Sequence, residues 1–219
     1  MSHRLSHQRT TMTSGLELDT RSKLLASAVK VFGQHGFAAA SVRQIADLAG
    51  VNHGSIKYHY SSKTQLWRAA IAYLFDEMEA ALFANSDNWA AMTPREQIIE
   101  NIGAYVRFNA HHPELVRMIM FESIVQSERF DWLAENHLWP FTDRSINRVA
   151  WAQEQGVYRA DIPPFNFHYM NIAAARSLFF SSTEFERQFG IDMRAEEEIE
   201  RHIDAVVKLF VVPEKVETS

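Results

Sequence analysis

The 219-residue sequence contains no cysteine. That absence excludes disulfide bonds, thiolate nucleophiles and zinc sites with cysteine ligands. No apolar run is long enough to span a bilayer, and the chain does not open on the apolar segment of a secretory signal, so we expect a cytoplasmic protein. No stretch alternates with a period of two residues for long enough to indicate a β-strand. The fold class that we expect is therefore all-α.

Enzyme motifs are missing as well. The sequence has no G-x-S-x-G, no phosphate-binding P-loop, no H-E-x-x-H and no glycine-rich dinucleotide turn. His111 and His112 beside Glu114 could indicate a metal, but a histidine pair at a helix break is more typical of a surface turn. Glu198 and His202 stand one helical turn apart, which an ordinary surface pair explains. We therefore expect no catalytic residue, no metal and no cofactor.

The charge is distributed unevenly. The chain carries a net charge of −5, yet residues 1–68 hold nine basic and three acidic residues, a net +6. The remainder holds 13 basic and 24 acidic residues, a net −11. A basic N-terminal part on an acidic remainder indicates a polyanionic partner at one end of the protein. The alternative is a chance clustering of surface lysines.

Residues 41–63 predict two short helices joined by a tight turn. Ser41 is a good N-cap, and Gln44 three residues later completes a capping box. Gly50 suits the left-handed position that ends a helix. Asn52 is then expected to cap the second helix.

The second of these helices has an apolar face and a polar face. Ile56 and Tyr60 are predicted to point inward, whereas His53, Lys57 and Tyr58 are predicted to remain outside. A helix, a glycine-containing turn and a second helix form the helix-turn-helix arrangement, whose second helix can enter the major groove of DNA.

Together with the helix before it, this segment resembles the DNA-binding domain of the TetR/AcrR family of bacterial transcriptional regulators. The family pattern is a long first helix ending in FxxxGF, then S/T-V-x-x-I-A-x-x-A-G-V, a short recognition helix ending in YHF or HHF, and S-K. The matching residues are Phe32, Gly36, Phe37, Ser41, Val42, Ile45, Ala46, Ala49, Gly50, Val51, Gly54, Tyr58, His59, Tyr60, Ser62 and Lys63. Tyr60 stands where Phe is usual, and Lys57 stands where Tyr or Asn is common. The match covers about residues 20–70.

The predicted DNA-contacting residues are Ser41, Arg43, Asn52, His53, Gly54, Lys57, Tyr58, His59 and Lys63. Lys57 is the candidate base reader, because an ammonium can donate to guanine O6 and N7. Gly54 lets the backbone come close to DNA, and the resemblance implies phosphate contacts for Tyr58 and Lys63. Lys63 also lies in the first turn of its helix, where peptide amides point at an anion. The alternative is a solvated basic helix.

The whole chain is predicted to contain about nine helices, with the first helix starting near Thr20. The predicted divisions are a flexible arm over residues 1–19, a helix-turn-helix domain over 20–66, a helical ligand-binding and dimerisation domain over 67–212, and a tail over 213–219. Arg4 and Arg9 in the arm could follow DNA phosphates, or the arm could be a solvated tail.

The C-terminal part is rich in side chains that line apolar pockets. Residues 69–219 hold 21 of the 26 aromatic residues. The candidate ligand-binding residues are Tyr105, Phe108, Met118, Phe121, Trp139, Trp151 and Met170, although most of them could also be ordinary core. His168 and Arg117 fall among apolar residues and could bind an acidic ligand, or they could be satisfied core or rim residues.

The last two predicted helices are candidates for a dimer interface. The resemblance implies that they pair with their copies in a four-helix interface, with Ala174, Leu178, Ile199, Ile203, Val206 and Phe210 as the contact residues. Ordinary packing within one chain is the alternative. A dimer is also favoured because one short helix contacts few base pairs, and two-fold symmetry doubles that number.

These observations predict a ligand-responsive DNA-binding transcriptional regulator. We expect a repressor that binds a palindromic operator as a homodimer and is released by a small apolar or aromatic molecule. Its expected partners are the double-stranded operator, the effector and a second copy, with no membrane; when bound to DNA it would lie in the nucleoid. One alternative is an architectural or cell-division DNA-binding protein that ignores small molecules. The other is an enzyme that uses the aromatic cavity of the fold.

Overall fold

The computed structural model describes residues 4–213, with side chains described from Asp19 onward. This range is helical and contains no strand, although an isolated antiparallel bridge joins Tyr158 and Val211. The prediction of an all-α chain is confirmed. Within the same range, no helix combines the length and apolar character that a membrane crossing requires.

The helices follow one another with short connections. They are α1 (Arg4–Ala39), α2 (Val42–Ala49), α3 (Gly54–Tyr60), α4 (Lys63–Phe83), α5 (Pro94–His111), α6 (Pro113–Val125), α7 (Glu128–Leu133), α8 (Trp139–Glu154), α9 (Pro164–Phe180), α10 (Ser182–Phe189) and α11 (Glu196–Phe210). A 3₁₀ segment covers Ser86–Ala91, where a loop was predicted, and a π-helical segment covers Ala134–Leu138. There are more helices than predicted, because the short α7 and α10 carry too few residues for a periodic apolar pattern.

Helix α1 begins at Arg4 rather than near Thr20. The residues up to 19 are polar, and a polar segment without proline can be helical without any apolar stripe that would reveal it. Gly36 has a non-helical backbone (φ 69°, ψ 173°) at the point where the sequence predicts the end of the first helix. Residues 1–3 of the predicted arm and 214–219 of the predicted tail lie outside the described residues.

The chain divides into two compact units, and the first is larger than the predicted domain. It comprises the residues up to Tyr73 together with Arg117–Phe130, which return to it from far along the sequence. Its core contains fully buried Leu24, Phe32, Ile45, Leu66 and Trp67. The sequence placed the boundary near residue 66, but α4 continues through that point without a break, so no turn signal marks where the packing changes.

The second unit contains Leu74–Val116 and the residues from Asp131 onward. Helix α11 packs here against α5 and α9. Ile199, Ile203 and Val206 are buried by this packing within one chain. The dimer contacts predicted for these three residues stay a prediction, and the packing within one chain already covers their side chains. Ala174, Leu178 and Phe210 are half-buried, and their interface role stays a prediction.

Candidate nucleic-acid interface and cavity

The turn between α2 and α3 is fixed by the hydrogen bonds that the sequence predicts. The backbone N–H of Gln44 donates to Ser41 Oγ at 3.1 Å, and the N–H of Ser41 donates to Gln44 Oε1 at 2.9 Å. Gly50 adopts the left-handed conformation (φ 67°, ψ 32°) that a residue with a side chain rarely adopts. The N–H of Val51 then donates back to Ala46 O at 3.0 Å, which closes the helix end. The capping box and the glycine stop are confirmed.

Helix α3 is held against the first unit by its inner face. Asn52 Oδ1 accepts the backbone N–H of Gly54 at 2.8 Å and so caps the start of the helix. Ile56 and Tyr60 are buried, as predicted. The Tyr60 hydroxyl donates to the carbonyl of Arg21 in α1 at 2.9 Å. Tyrosine is therefore accommodated at a position where the family usually has Phe, because its hydroxyl has a partner.

The outer face of α3 presents polar side chains to solvent. His53, Lys57 and Tyr58 are exposed, and Tyr58 is 72% exposed despite its aromatic ring. The ring of His59 meets Tyr58 edge to face, with centroids 4.8 Å apart. Arg43 is exposed on α2, where its Nε lies 3.9 Å from an Asp47 carboxylate oxygen. All nine residues predicted to contact DNA belong to the first unit, and their contact with DNA stays a prediction.

Lys63 begins α4 and lies over an aromatic ring. Its Nζ is 4.5 Å from the centroid of Phe37, and the guanidinium of Arg129 is 3.9 Å from the same centroid. Burial and, secondarily, the neighbouring charge of Arg129 lower the pKa of Lys63. Arg129 already has a carboxylate partner in Glu122, so an arriving phosphate would supply a negative charge to Lys63.

Arg129 is held by a buried carboxylate that the sequence analysis did not single out. Glu122 is buried, and its oxygens accept from Arg129 Nη2 at 3.0 Å and Nε at 3.2 Å. The Ser127 hydroxyl donates to the same carboxylate at 2.6 Å. No spacing rule could have found this group, because Glu122 acts through Arg129, and Arg129 reaches the Phe37 ring from a distant part of the sequence.

A cavity of about 290 Å³ lies in the second unit. Its apolar wall is formed mainly by Leu82, Phe83, Ile98, Ile102, Phe141 and Val149. Its polar wall includes Arg144, which pairs with Glu79, and Arg148, whose Nη2 donates to Gln97 Oε1 at 3.0 Å. Among the residues with described side chains, no three His, Asp or Glu come together in a way that could hold a metal ion.

Of the seven predicted ligand-binding residues, Tyr105 lines this cavity. The other six are not among the lining residues. Phe108 is buried with its ring on His112, and Trp151 stacks on Arg148. Met118 and Phe121 belong to the first unit, whereas Trp139 and Met170 are exposed. The ligand-binding role of these six residues stays a prediction. Aromatic content predicts where a helical protein is buried, but it does not give the rotational phase of each helix toward a cavity.

Of the two side chains noted as possible anchors for an acidic ligand, His168 lines the cavity, whereas Arg117 belongs to the first unit. His168 is 1% exposed. Burial, together with the positive charge of Arg176, lowers its pKa to about 4. The imidazole is therefore neutral at pH 7.

This buried neutral histidine should make the protein less stable in mild acid. Between pH 6.5 and 4 the unfolded chain binds a proton at this position that the folded chain does not, so the free energy of unfolding falls as the pH falls through that window. The slope from this group is at most about 1.4 kcal/mol per pH unit. Urea unfolding of His168→Gln at several pH values should show a shallower dependence than the wild type, while Ser145→Ala, a wall substitution without a titrating group, keeps it. Equal slopes in wild type and His168→Gln would contradict the assignment.

Two family models match most of the chain. The model described as bacterial regulatory proteins, tetR family, matches residues 24–70. The model described as tetracyclin repressor-like, C-terminal domain, matches residues 94–209. The first covers the helix-turn-helix and the second covers most of the unit that contains the cavity.

Individual relatives agree with these matches. The chain is 27% identical over 112 residues to the probable HTH-type transcriptional regulator YttP of Bacillus subtilis, covering 51% of this chain and 54% of YttP. It is 30% identical over 111 residues to the HTH-type transcriptional repressor NicS of Pseudomonas putida, covering 49% of this chain and 50% of NicS. The chain thus spans about half the length of these curated relatives.

A solved structure shares the fold over nearly the whole chain. It is that of AibR in complex with isovaleryl coenzyme A and operator DNA, which superposes with a TM-score of 0.67 at 14% identity. The match covers 89% of this chain and 100% of that one. At this identity the likeness establishes the architecture alone.

Proposed function

This chain belongs to the TetR family of bacterial regulatory proteins, and on that premise we propose that it is a repressor controlled by a small molecule. Members of the family are transcriptional regulators rather than enzymes. In the proposal, two copies hold a palindromic operator in the cytoplasm, and a small apolar or aromatic effector in the cavity releases them. The observation that carries the proposal is the presence, in one chain, of an exposed helix-turn-helix and a separate unit that contains a cavity of about 290 Å³.

The DNA-reading part of the proposal rests on the outer face of α3. Gly54, Lys57 and Tyr58 share that face by helical spacing, and the side chains of Lys57 and Tyr58 are exposed. A phosphate oxygen is a natural acceptor for the hydroxyl of Tyr58. Lys57 can donate to guanine, and Lys63 adds a charge near the start of α4.

The dimer part of the proposal is supported by an apolar stripe on α9. Phe165 is 57% exposed, Tyr169 is 47% exposed and Phe180 is 41% exposed. These residues recur at helical spacing, with the exposed Ala173 between them. A second copy would cover this stripe, and two copies would place two recognition helices on DNA half-sites about 34 Å or somewhat more apart.

In the effector part of the proposal, α4 transmits ligand binding from the cavity to the helix-turn-helix. Glu79, Leu82 and Phe83 of this helix line the cavity, and Lys63 at its start belongs to the helix-turn-helix unit. An effector changes DNA binding only if it binds more tightly to one arrangement of the helix-turn-helix parts of the two copies than to another. A helix that carries both the cavity wall and a phosphate contact can transmit that difference.

Genome-wide footprinting of the tagged protein tests the proposal against its main rival. We expect a few sites in promoters, each with two inverted half-sites. An architectural or cell-division DNA-binding protein would instead give many dispersed sites, and that pattern would contradict the proposal. Sedimentation of the purified protein should give a dimer, and a strictly monomeric protein would contradict the paired half-sites.

Lys63→Ala should weaken binding to every duplex alike. Each copy of the protein loses one phosphate contact, so the slope of log K against log salt concentration should become shallower by about 1 per bound copy. Fluorescence anisotropy over a salt series measures both effects. Lys208→Ala, which removes a lysine paired with Asp204 on α11, is the matched control and should leave affinity and slope unchanged. A Lys63→Ala slope equal to the wild type would remove Lys63 from the phosphate contacts.

A further inference from the structure

One side of the cavity carries a positive charge that has no negative partner. Arg148 lies in the wall, and no Asp or Glu with a described side chain is within ion-pairing distance of it, whereas Arg144 in the same wall pairs with Glu79. The Arg148 guanidinium is stacked on Trp89 and Trp151, 4.9 Å and 4.2 Å from their ring centroids. Burial lowers its pKa. A partly buried cation that has no counter-ion is costly unless a ligand provides one.

The same wall holds two buried hydrogen-bond donors without acceptors. They are Arg148 Nε and Trp89 Nε1. Both are N–H groups, and both belong to residues that line the cavity. Buried donors in folded proteins are normally paired, so two in one wall point to a missing acceptor.

Water alone does not complete this wall. A water molecule can accept from an orphan donor, but it brings no negative charge to Arg148. A cavity of about 290 Å³ lies near the lower end of the range that is usual for small-molecule sites. The other ionisable groups of the wall leave no second net charge near neutral pH, since Glu79 is paired with Arg144 and His168 is uncharged at pH 7.

We propose that the effector is a small organic acid, with one carboxylate bound by Arg148 and a compact apolar or aromatic body. The proposal rests on the effector site of the proposed function and specifies its ligand class. A carboxylate has two oxygens that can accept from the Arg148 guanidinium side by side, and it has lone pairs left for Trp89 Nε1. Ile98, Ile102 and Phe141 would contact the body. A single negative charge matches Arg148, which is the one cation among the lining residues that has no ion pair.

Calorimetry on the full-length protein without DNA tests the proposal with matched pairs of probes. The probes are benzoate, phenylacetate and cyclohexanecarboxylate, each compared with its primary amide, which has the same shape and no charge. We expect at least one acid to bind tenfold or more tightly than its amide. Arg148→Gln should abolish this preference. Arg107→Gln, which removes an arginine paired with Glu200 outside the cavity wall, should retain it.

Trp89→Phe supplies a second variant that keeps Arg148 and an aromatic ring while removing one N–H. It should weaken the acid several-fold and leave the amide unchanged, which a loss of folding would not do. The inference is overturned if no acid binds, if acids and amides bind equally, or if Arg148→Gln keeps the preference.

The outcome for the proposed function is separate. If a neutral molecule releases the protein from its operator while every acid fails to bind, the proposed regulator is supported and the organic-acid ligand is contradicted. If an acid binds through Arg148 without changing operator affinity, the ligand class is supported and release by an effector is contradicted.

Discussion

Arg129→Met should lower the free energy of unfolding by about 3–5 kcal/mol, because it leaves the buried Glu122 carboxylate without its counter-ion. That carboxylate is 3% exposed and would keep only the hydroxyl of Ser127 as a donor. The methionine side chain would still cover the Phe37 ring, so lost packing contributes little. Urea unfolding gives the total, and hydrogen exchange of peptides from residues 20–73 reports the loss in the first unit.

Two further variants separate the charge from other causes. Glu122→Gln combined with Arg129→Met should be more stable than Arg129→Met alone, because a neutral amide needs no counter-ion. Arg159→Met, which removes an arginine from an exposed pair with Asp161, should change stability by about 1 kcal/mol or less. If Arg129→Met costs no more than Arg159→Met, the buried pair does not stabilise the first unit.

Lys57→Ala should change which base the protein prefers, rather than only how tightly it binds. Losing a donor to guanine O6 and N7 costs about 1–3 kcal/mol of discrimination in each half-site, or about 2–6 kcal/mol over a palindrome. Binding to a set of operators with each base pair substituted in turn measures this effect. The preference should relax at one position in each half-site and stay unchanged at the others.

Lys57→Arg and Lys63→Ala are the controls for that result. Arginine makes the bidentate contact to guanine, so Lys57→Arg should keep or sharpen the preference. Lys63→Ala should lower all affinities without changing their order. A uniform loss for both alanine variants would mean that Lys57 contacts phosphate and that another side chain reads the bases.

The sequence predicted the helix-turn-helix in detail because its determinants are local. The Ser41–Gln44 capping box, the left-handed Gly50 and the buried Ile56 and Tyr60 each depend on residues a few positions apart, so spacing alone identifies them. The exposed face of α3 follows from the same periodicity. The hydroxyl of Tyr60 could be expected to find a partner, although not that the partner would be the Arg21 carbonyl.

The cavity was predicted much less well because its walls are not local. Arg148 is followed one position later by buried Val149, and no sequence pattern distinguishes it from a surface arginine. Its Gln97 partner lies on another helix, and Trp89 lies in a segment predicted to be a loop. Three predicted dimer residues were buried for a related reason: an amphipathic helix such as α11 shows that one face is covered, but not whether its own chain or a copy covers it.

The return of residues 117–130 to the N-terminal unit has a consequence for synthesis on the ribosome. The Arg129 guanidinium can stack on the Phe37 ring only after Arg129 has left the exit tunnel. The first unit is therefore incomplete while most of the first hundred residues are already outside the ribosome. Contacts of such long sequence separation form late and slow folding. A gene fragment that stops soon after Tyr73 would therefore encode a first unit that lacks residues 117–130.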